Sequence, residues 1–278
     1  MARFAPNFYH HYLELPVRER FAAARASGFD AIEWHFPYEL AADELRALLD
    51  ENGLAFLYAV MPVDWTRDKG LAGLPGREDE CRAAAERGLA FLSRIGADYM
   101  QVGAGVVPEG ASREHCVDVF QRNLDWICDQ ARGSGVDIAI EGVCNARFPG
   151  WVVQTIAETS GVVRAVDKPN LKLVYDTYHL RMEEKGPLTP LLDLYWPLIG
   201  HVQIGNAPGR HEPGVGEIDL FHIVHALEAK GWTRPIGLEF DPAGDTWSSL
   251  RWMERYSYPA CAAPDNIKYG PRVRRSSV

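Results

Sequence analysis

Four oxygen-bearing side chains lie within or just after four successive apolar runs. Glu141 follows Asp137-Ile-Ala-Ile, Asp176 closes Leu171-Lys-Leu-Val-Tyr, Gln203 sits in His201-Val-Gln-Ile204, and Glu239 closes Pro235-Ile-Gly-Leu. Each run has the composition of a strand buried in a parallel sheet, and a strand end is where such sheets deliver polar groups. A lone acid in that position is ordinarily a helix cap or a loop salt-bridge partner. A set of four that converges is different. Three carboxylates brought together raise one another's pKa and need a counter-charge. A divalent cation supplies one, and oxygen ligands without a cysteine suit a hard ion such as Mg2+ or Mn2+.

Around these four stand further candidates. His179, three residues past Asp176, is placed to hydrogen-bond a substrate hydroxyl or carbonyl oxygen. Arg210 lies in the Gly- and Pro-punctuated stretch 207–219 and is expected to clamp an anion or hydroxyl, with a salt bridge to Glu212 or Glu217 as the plainer alternative. Arg77, opening a helix after the third strand, is a candidate carboxylate anchor or simply a helix-surface arginine. Glu33 ends the second apolar run and can steady a histidine behind the ligands. His201 begins its run and reads as structural, and His10 and His11 line the mouth or face solvent. Cys144 has no base beside it in sequence, which argues against a nucleophilic role.

Such residues need a frame that brings strand ends to one face. The chain alternates short apolar runs with helical periodicity about eight times. Strands are expected at 4–8, 31–34, 55–60, 99–102, 137–141, 171–176, 201–204 and 236–240. Helices are expected at 16–27, 42–52, 76–95, 112–132, 151–166, 188–195, 220–230 and 247–256. No Pro/Gly/Ser linker divides the series, and no G-x-G-x-x-G follows the first strand, so a single (β/α)8 TIM barrel over 1–258 is expected rather than a doubly wound sheet. The remainder, 259–278, loses apolar periodicity and becomes basic; it reads as a mobile or partner-contacting tail.

A chain of 278 residues with 47% hydrophobic content can bury such a core. The formal charge of −9 disfavours nucleic acid, which needs a basic face. No stretch of about 18 uninterrupted apolar residues and no apolar leader appears, so a cytoplasmic protein off the membrane is expected. The five cysteines form no C-x-x-C pair, which points away from a disulfide framework or zinc knuckle. The partner implied is a small-molecule substrate, and homo-oligomerisation is compatible with the sequence.

The stretches RFAPNF, ERFAAARASGFDAIEWHFPYE, LAGLPGRE, YDTYH and above all HVQIGNAPGRHEPGVGEID closely resemble the hydroxypyruvate isomerase family of xylose-isomerase-like TIM barrels. The resemblance runs from about residue 3 to residue 256. It implies a divalent metal held by Glu141, Asp176, Gln203 and Glu239, with the two glutamates also moving the proton and with His179 and Arg210 holding substrate. Gln203 stands where the related sugar epimerases usually carry His, which favours the hydroxypyruvate branch. Two departures stand out: Asp241 occupies the place of that branch's usual Lys, and Gly-Val-Cys-Asn-Ala-Arg follows Glu141 in place of a Pro or Ala continuation. The implied reaction is aldose–ketose type isomerisation of a small α-hydroxycarbonyl compound through an enediolate. Alternatives are C3 epimerisation of a keto-sugar, dehydration of a keto-inositol, and a non-catalytic ligand-binding member. Metal-dependent DNA repair on the same barrel would need more histidines and a basic groove.

Overall fold

The computed structural model describes residues 1–260. Its eight strands are β1 (Phe4–Pro6), β2 (Ala31–Glu33), β3 (Ala55–Val60), β4 (Tyr99–Gln101), β5 (Asp137–Ile140), β6 (Leu171–Asp176), β7 (Ile199–Ile204) and β8 (Ile236–Leu238). All pairings are parallel: from β2 to β8 each strand pairs with its sequence neighbour, and β1 pairs with β8 through Phe4 and Ile236. The seam between β1 and β2 is closed just beyond β1, where Asn7 bridges Glu33 and the Phe8 N–H donates to the Glu33 carbonyl at 2.8 Å. The sheet therefore curls into the expected TIM barrel, and every strand's C-terminal end opens on one face.

Between the strands run α1 (Val17–Ala26), α2 (Ala42–Asn52), α3 (Glu78–Ile95), α4 (Arg113–Gln130), α5 (Ile156–Val166), α6 (Thr177–Glu183), α7 (Thr189–Tyr195) and α8 (Leu220–Ala229), and α9 (Thr246–Leu250) follows β8. Their apolar faces pack on the outside of the sheet. On α3 the residues Cys81, Ala84, Ala85, Leu89, Leu92 and Ile95 are buried, and Gly96 at φ 72° ends the helix in the left-handed conformation. Each such leucine or isoleucine stabilises the fold by about 1.5–3 kcal/mol. Inside the barrel a separate apolar layer includes Ala5, Ala31 and Ala139, whose small side chains leave room for Tyr58 and Tyr99. Both rings lie against His201, with centroids 4.9 and 5.5 Å away.

Three differences from the sequence expectation have local causes. Helix α5 starts at Ile156 rather than 151 because Thr155 and Glu158 form a reciprocal capping box. Helix α6 was not foreseen: the Asp176 carboxylate accepts from the Tyr178 and His179 N–H groups at 2.6 and 3.1 Å and starts a helix where a loop was expected. The last helix breaks after Leu250 into a 3-10 segment, Arg251–Tyr256. Of the expected tail, only Pro259 and Ala260 fall within the described residues.

Candidate active site

Register sets the floor of the site. Asp176 on β6 pairs with Gln203 on β7, which pairs with Gly237 on β8; Glu239 lies two residues further on, its N–H bonded to the Ile204 carbonyl at 3.0 Å. Glu141 comes directly after β5. All four side chains are buried. Beside them lies a cavity of about 60 Å3, whose lining includes Glu141, Glu239, His179, Arg210, His10 and His35. That is room for a handful of waters, and so for a compact polar molecule.

Glu33 lies beneath. Its carboxylate accepts from Gln203 Nε2 at 2.8 Å and from Asn7 Nδ2 at 3.3 Å, and its Oε1 stands 2.5 Å from His201 Nε2. The expected pairing of Glu33 with a histidine is thus made to His201. Because a carboxylate must face the Gln203 amide nitrogen, the Gln203 Oε1 is turned the other way. That oxygen is buried and has no hydrogen-bond partner, as has Glu141 Oε1. The other Glu141 oxygen accepts from Gln101 Nε2 at 2.7 Å.

Among the described residues, Arg210 supplies the buried guanidinium on the floor. It sits at φ 53°, a costly conformation for a residue with a side chain, and its Nη2 reaches Asp176 Oδ2 at 2.9 Å and also bonds Glu239 Oε1. The salt bridge to Glu212 or Glu217 considered from sequence is not made; the partners are the floor carboxylates. Burial drives the Glu141 carboxyl well above its usual range, with Glu239 and Asp176 adding to the effect. Burial likewise lifts Asp176, to about 6, against the pull of Arg210. At Glu239 burial acts in the same sense but is outweighed by Arg210 and His35, which leave it well below the carboxylate norm.

His179 is fixed by its neighbours. Its Nδ1 accepts from the Cys144 N–H at 3.3 Å, and burial, helped by Arg210, pushes its pKa well down, so the ring is neutral with its proton on Nε2. Nε2 stands 3.9 Å from Glu141 Oε1. Cys144 Sγ lies 3.2 Å from His179 Nδ1, and burial raises its thiol to about 11, the state of a packed thiol rather than a nucleophile. On the other side, His10 Nδ1 bonds Asp241 Oδ1 at 2.8 Å while its buried Nε2 has no hydrogen-bond partner.

Arg77 is the expected residue that the fold keeps apart. It is bound to Asp68 at 2.6 and 3.0 Å and to Glu80 at 2.6 Å, and it does not line the cavity. His35 and Gln101 were not singled out from sequence, although Gln101 ends β4 and His35 follows β2 by two residues, which is the signal that could have found them.

The ligand chemistry fits a hard divalent cation. The floor offers oxygens from Glu141, Asp176, Gln203 and Glu239, two of them from side chains with a buried unpartnered atom. Ligating atoms of Glu141, Asp176 and His179 lie within 4.8 Å of one another, and those of His10, His35 and Glu239 form a second such group.

A closed barrel whose strand ends gather carboxylates, an amide oxygen and a buried arginine in one mouth defines an enzyme-type site. A family model described as Xylose isomerase-like TIM barrel matches residues 21–256, and the chain belongs to that family. The 2-oxo-tetronate isomerase of Cupriavidus necator is 39% identical over 92% of this chain and 99% of its own length. The hydroxypyruvate isomerase of Escherichia coli is 31% identical over 92% and 100%. A crystal structure titled AP endonuclease, family 2, from Brucella melitensis superposes with a TM-score of 0.88 at 31% identity, over 92% of this chain and 99% of that one. Within the family this chain falls with the hydroxypyruvate isomerase group and is an enzyme of the isomerase class.

Proposed function

We propose that the protein isomerises a small α-hydroxy keto acid, of the hydroxypyruvate or 2-oxo-tetronate type, by carrying one proton between neighbouring carbons. The observation behind this reading is the pair of buried glutamates, Glu141 and Glu239, lining one small cavity from the ends of β5 and β8. Either glutamate takes the proton from the hydroxyl-bearing carbon, leaving its electron pair in an enediolate. A proton returned to the adjacent carbon, with the hydroxyl proton passing to the former carbonyl oxygen, completes an isomerisation in which no atom is gained or lost. The Nε2–H of His179 donates to a substrate oxygen, and Arg210 holds the carboxylates of Asp176 and Glu239 in place.

Glu141, Asp176, Gln203 and Glu239 would hold the cation, Mg2+ or Mn2+. When bound it would polarise the substrate carbonyl and make the neighbouring C–H more acidic. Glu33 keeps the Gln203 oxygen turned to the site.

Proton NMR in D2O tests this, with hydroxypyruvate, 2-oxo-tetronate and a panel of ketoses offered in turn with Mg2+ or Mn2+. Deuterium is expected at the carbon beside the carbonyl of the keto acids, and addition of EDTA is expected to stop it. No exchange into any substrate, with cation binding established by calorimetry, would overturn the isomerase reading.

A further inference from the structure

The floor of the cavity is rich in acid. Glu141, Asp176 and Glu239 face one buried guanidinium, and Asp241 stands at the rim beside His10. A keto acid brings another negative charge, which in a partly desolvated pocket requires a cation of its own.

Two cations line the same cavity and form no salt bridge among the described residues: Lys69 in the segment after β3, and Arg147 in the segment after β5. Both are mounted on aromatic rings. Lys69 Nζ lies 5.4 Å from the centroid of Trp65 and donates to the Trp65 carbonyl at 2.8 Å. Arg147 Cζ lies 5.5 Å from the centroid of Phe148. The Trp65 and Phe148 rings meet edge to face at 5.8 Å, so the two segments touch across the mouth and each carries one charge to it. The neighbouring Arg67 and Arg77, by contrast, are consumed by Asp68 and Glu80. One ammonium with two donors to spare and one free guanidinium fork match a carboxylate in charge and geometry.

We infer that Lys69 and Arg147 form a carboxylate clamp at the cavity rim, so that the enzyme takes keto acids in preference to neutral ketoses of the same size. The inference rests on the isomerase reading for the word substrate, but the clamp itself is a binding site. It orients the ligand: the carboxylate is held at the aromatic rim, and the hydroxyl-bearing carbon points down to Glu141 and Glu239.

Tryptophan fluorescence tests it directly, because Trp65 and Trp151 line the cavity. Glycerate, a non-reacting acid, and glycerol, its neutral counterpart, are titrated into the wild type, Lys69→Gln/Arg147→Gln, and the charge-keeping Lys69→Arg/Arg147→Lys. Glycerate is expected to bind the wild type in preference to glycerol, to lose roughly 10- to 100-fold in affinity in the neutral double variant, and to recover part of it in the charge-keeping one. Raised salt should weaken glycerate binding. Glycerate binding equally to the wild type and the neutral variant, or not binding the wild type at all, overturns the clamp. In the neutral double variant the ratio of KM for hydroxypyruvate to KM for dihydroxyacetone should rise by a similar factor. Clamp-dependent glycerate binding in a protein that exchanges no substrate proton would uphold the clamp and sink the isomerase reading alone.

Discussion

The Glu33 carboxylate and the His201 imidazole meet at 2.5 Å between Oε1 and Nε2, with both side chains closed off from solvent beneath the site. This contact joins the end of β2 to β7 across the barrel interior, and it shares its carboxylate with the Gln203 amide. Glu33→Ala strands three buried donors at once, on His201, Gln203 and Asn7. It is expected to lower stability by about 3–5 kcal/mol in urea unfolding, and to weaken Mn2+ binding measured by calorimetry at a temperature where the variant is still folded. Unaltered Mn2+ affinity in a folded variant would show that Glu33 does not steady the ligand set.

Glu141→Gln and Glu239→Gln keep the size of each side chain while removing its ability to carry a proton. Each should leave the circular dichroism spectrum as it was and reduce kcat by about 10²-fold or more. Substantial turnover in either variant would remove that glutamate from the proton path.

Cys81, Cys128 and Cys144 should be inert in the native state. Burial raises the thiols of Cys81 and Cys128 to about 12 and that of Cys144 to about 11, so at pH 8 each is held as the unreactive thiol. Mass spectrometry after iodoacetamide treatment should find these three unmodified until denaturant is added. Cys144→Ala should retain turnover within a few-fold; loss of activity comparable to the glutamate variants would reopen a chemical role for the thiol.

Arg77 offers a pH test of its observed pairing. The Arg77 hydrogen bonds hold the Asp68 carboxyl below its ordinary range against the opposing effect of burial. A depressed carboxylate contributes stability that is full above its unfolded pKa of about 4 and is lost as pH falls through the folded value. Arg77→Ala should therefore cost about 1 kcal/mol or less at pH 7, with a smaller gap from wild type at about pH 3. A large rise in KM instead would return Arg77 to the substrate.

Sequence carried the barrel well, because eight apolar runs alternating with helical periodicity have few other ways to bury their faces. It also pointed to the four floor residues, since a parallel barrel puts all strand ends on one side. Helix α6 escaped because Asp176 does two things: it ends the strand and caps the next helix, and the polar residues after it look like loop when only strand periodicity is followed. The start of α5 was hidden by aromatic and β-branched residues at 151–153 that extend the apolar pattern; the Thr155-x-x-Glu158 spacing was the available signal. The meeting of Glu33 with His201, 168 positions apart, and of Trp65 with Phe148 depends on side-chain reach across the barrel, which one-dimensional periodicity does not encode.

Gly237 on β8 lies against the Glu33 carboxylate so closely that a Cβ built there would collide with both of its oxygens. Positions 33 and 237 are therefore one unit of variation. A line of descent that enlarged residue 237 would first have to shorten residue 33, releasing Gln203 and His201 together, and a drifting sequence passes through that gap only by giving up the site's underpinning. An engineer who wishes to retune substrate preference would do better to work from the rim, where Lys69 and Arg147 are mounted on Trp65 and Phe148 and not on the Glu33 network.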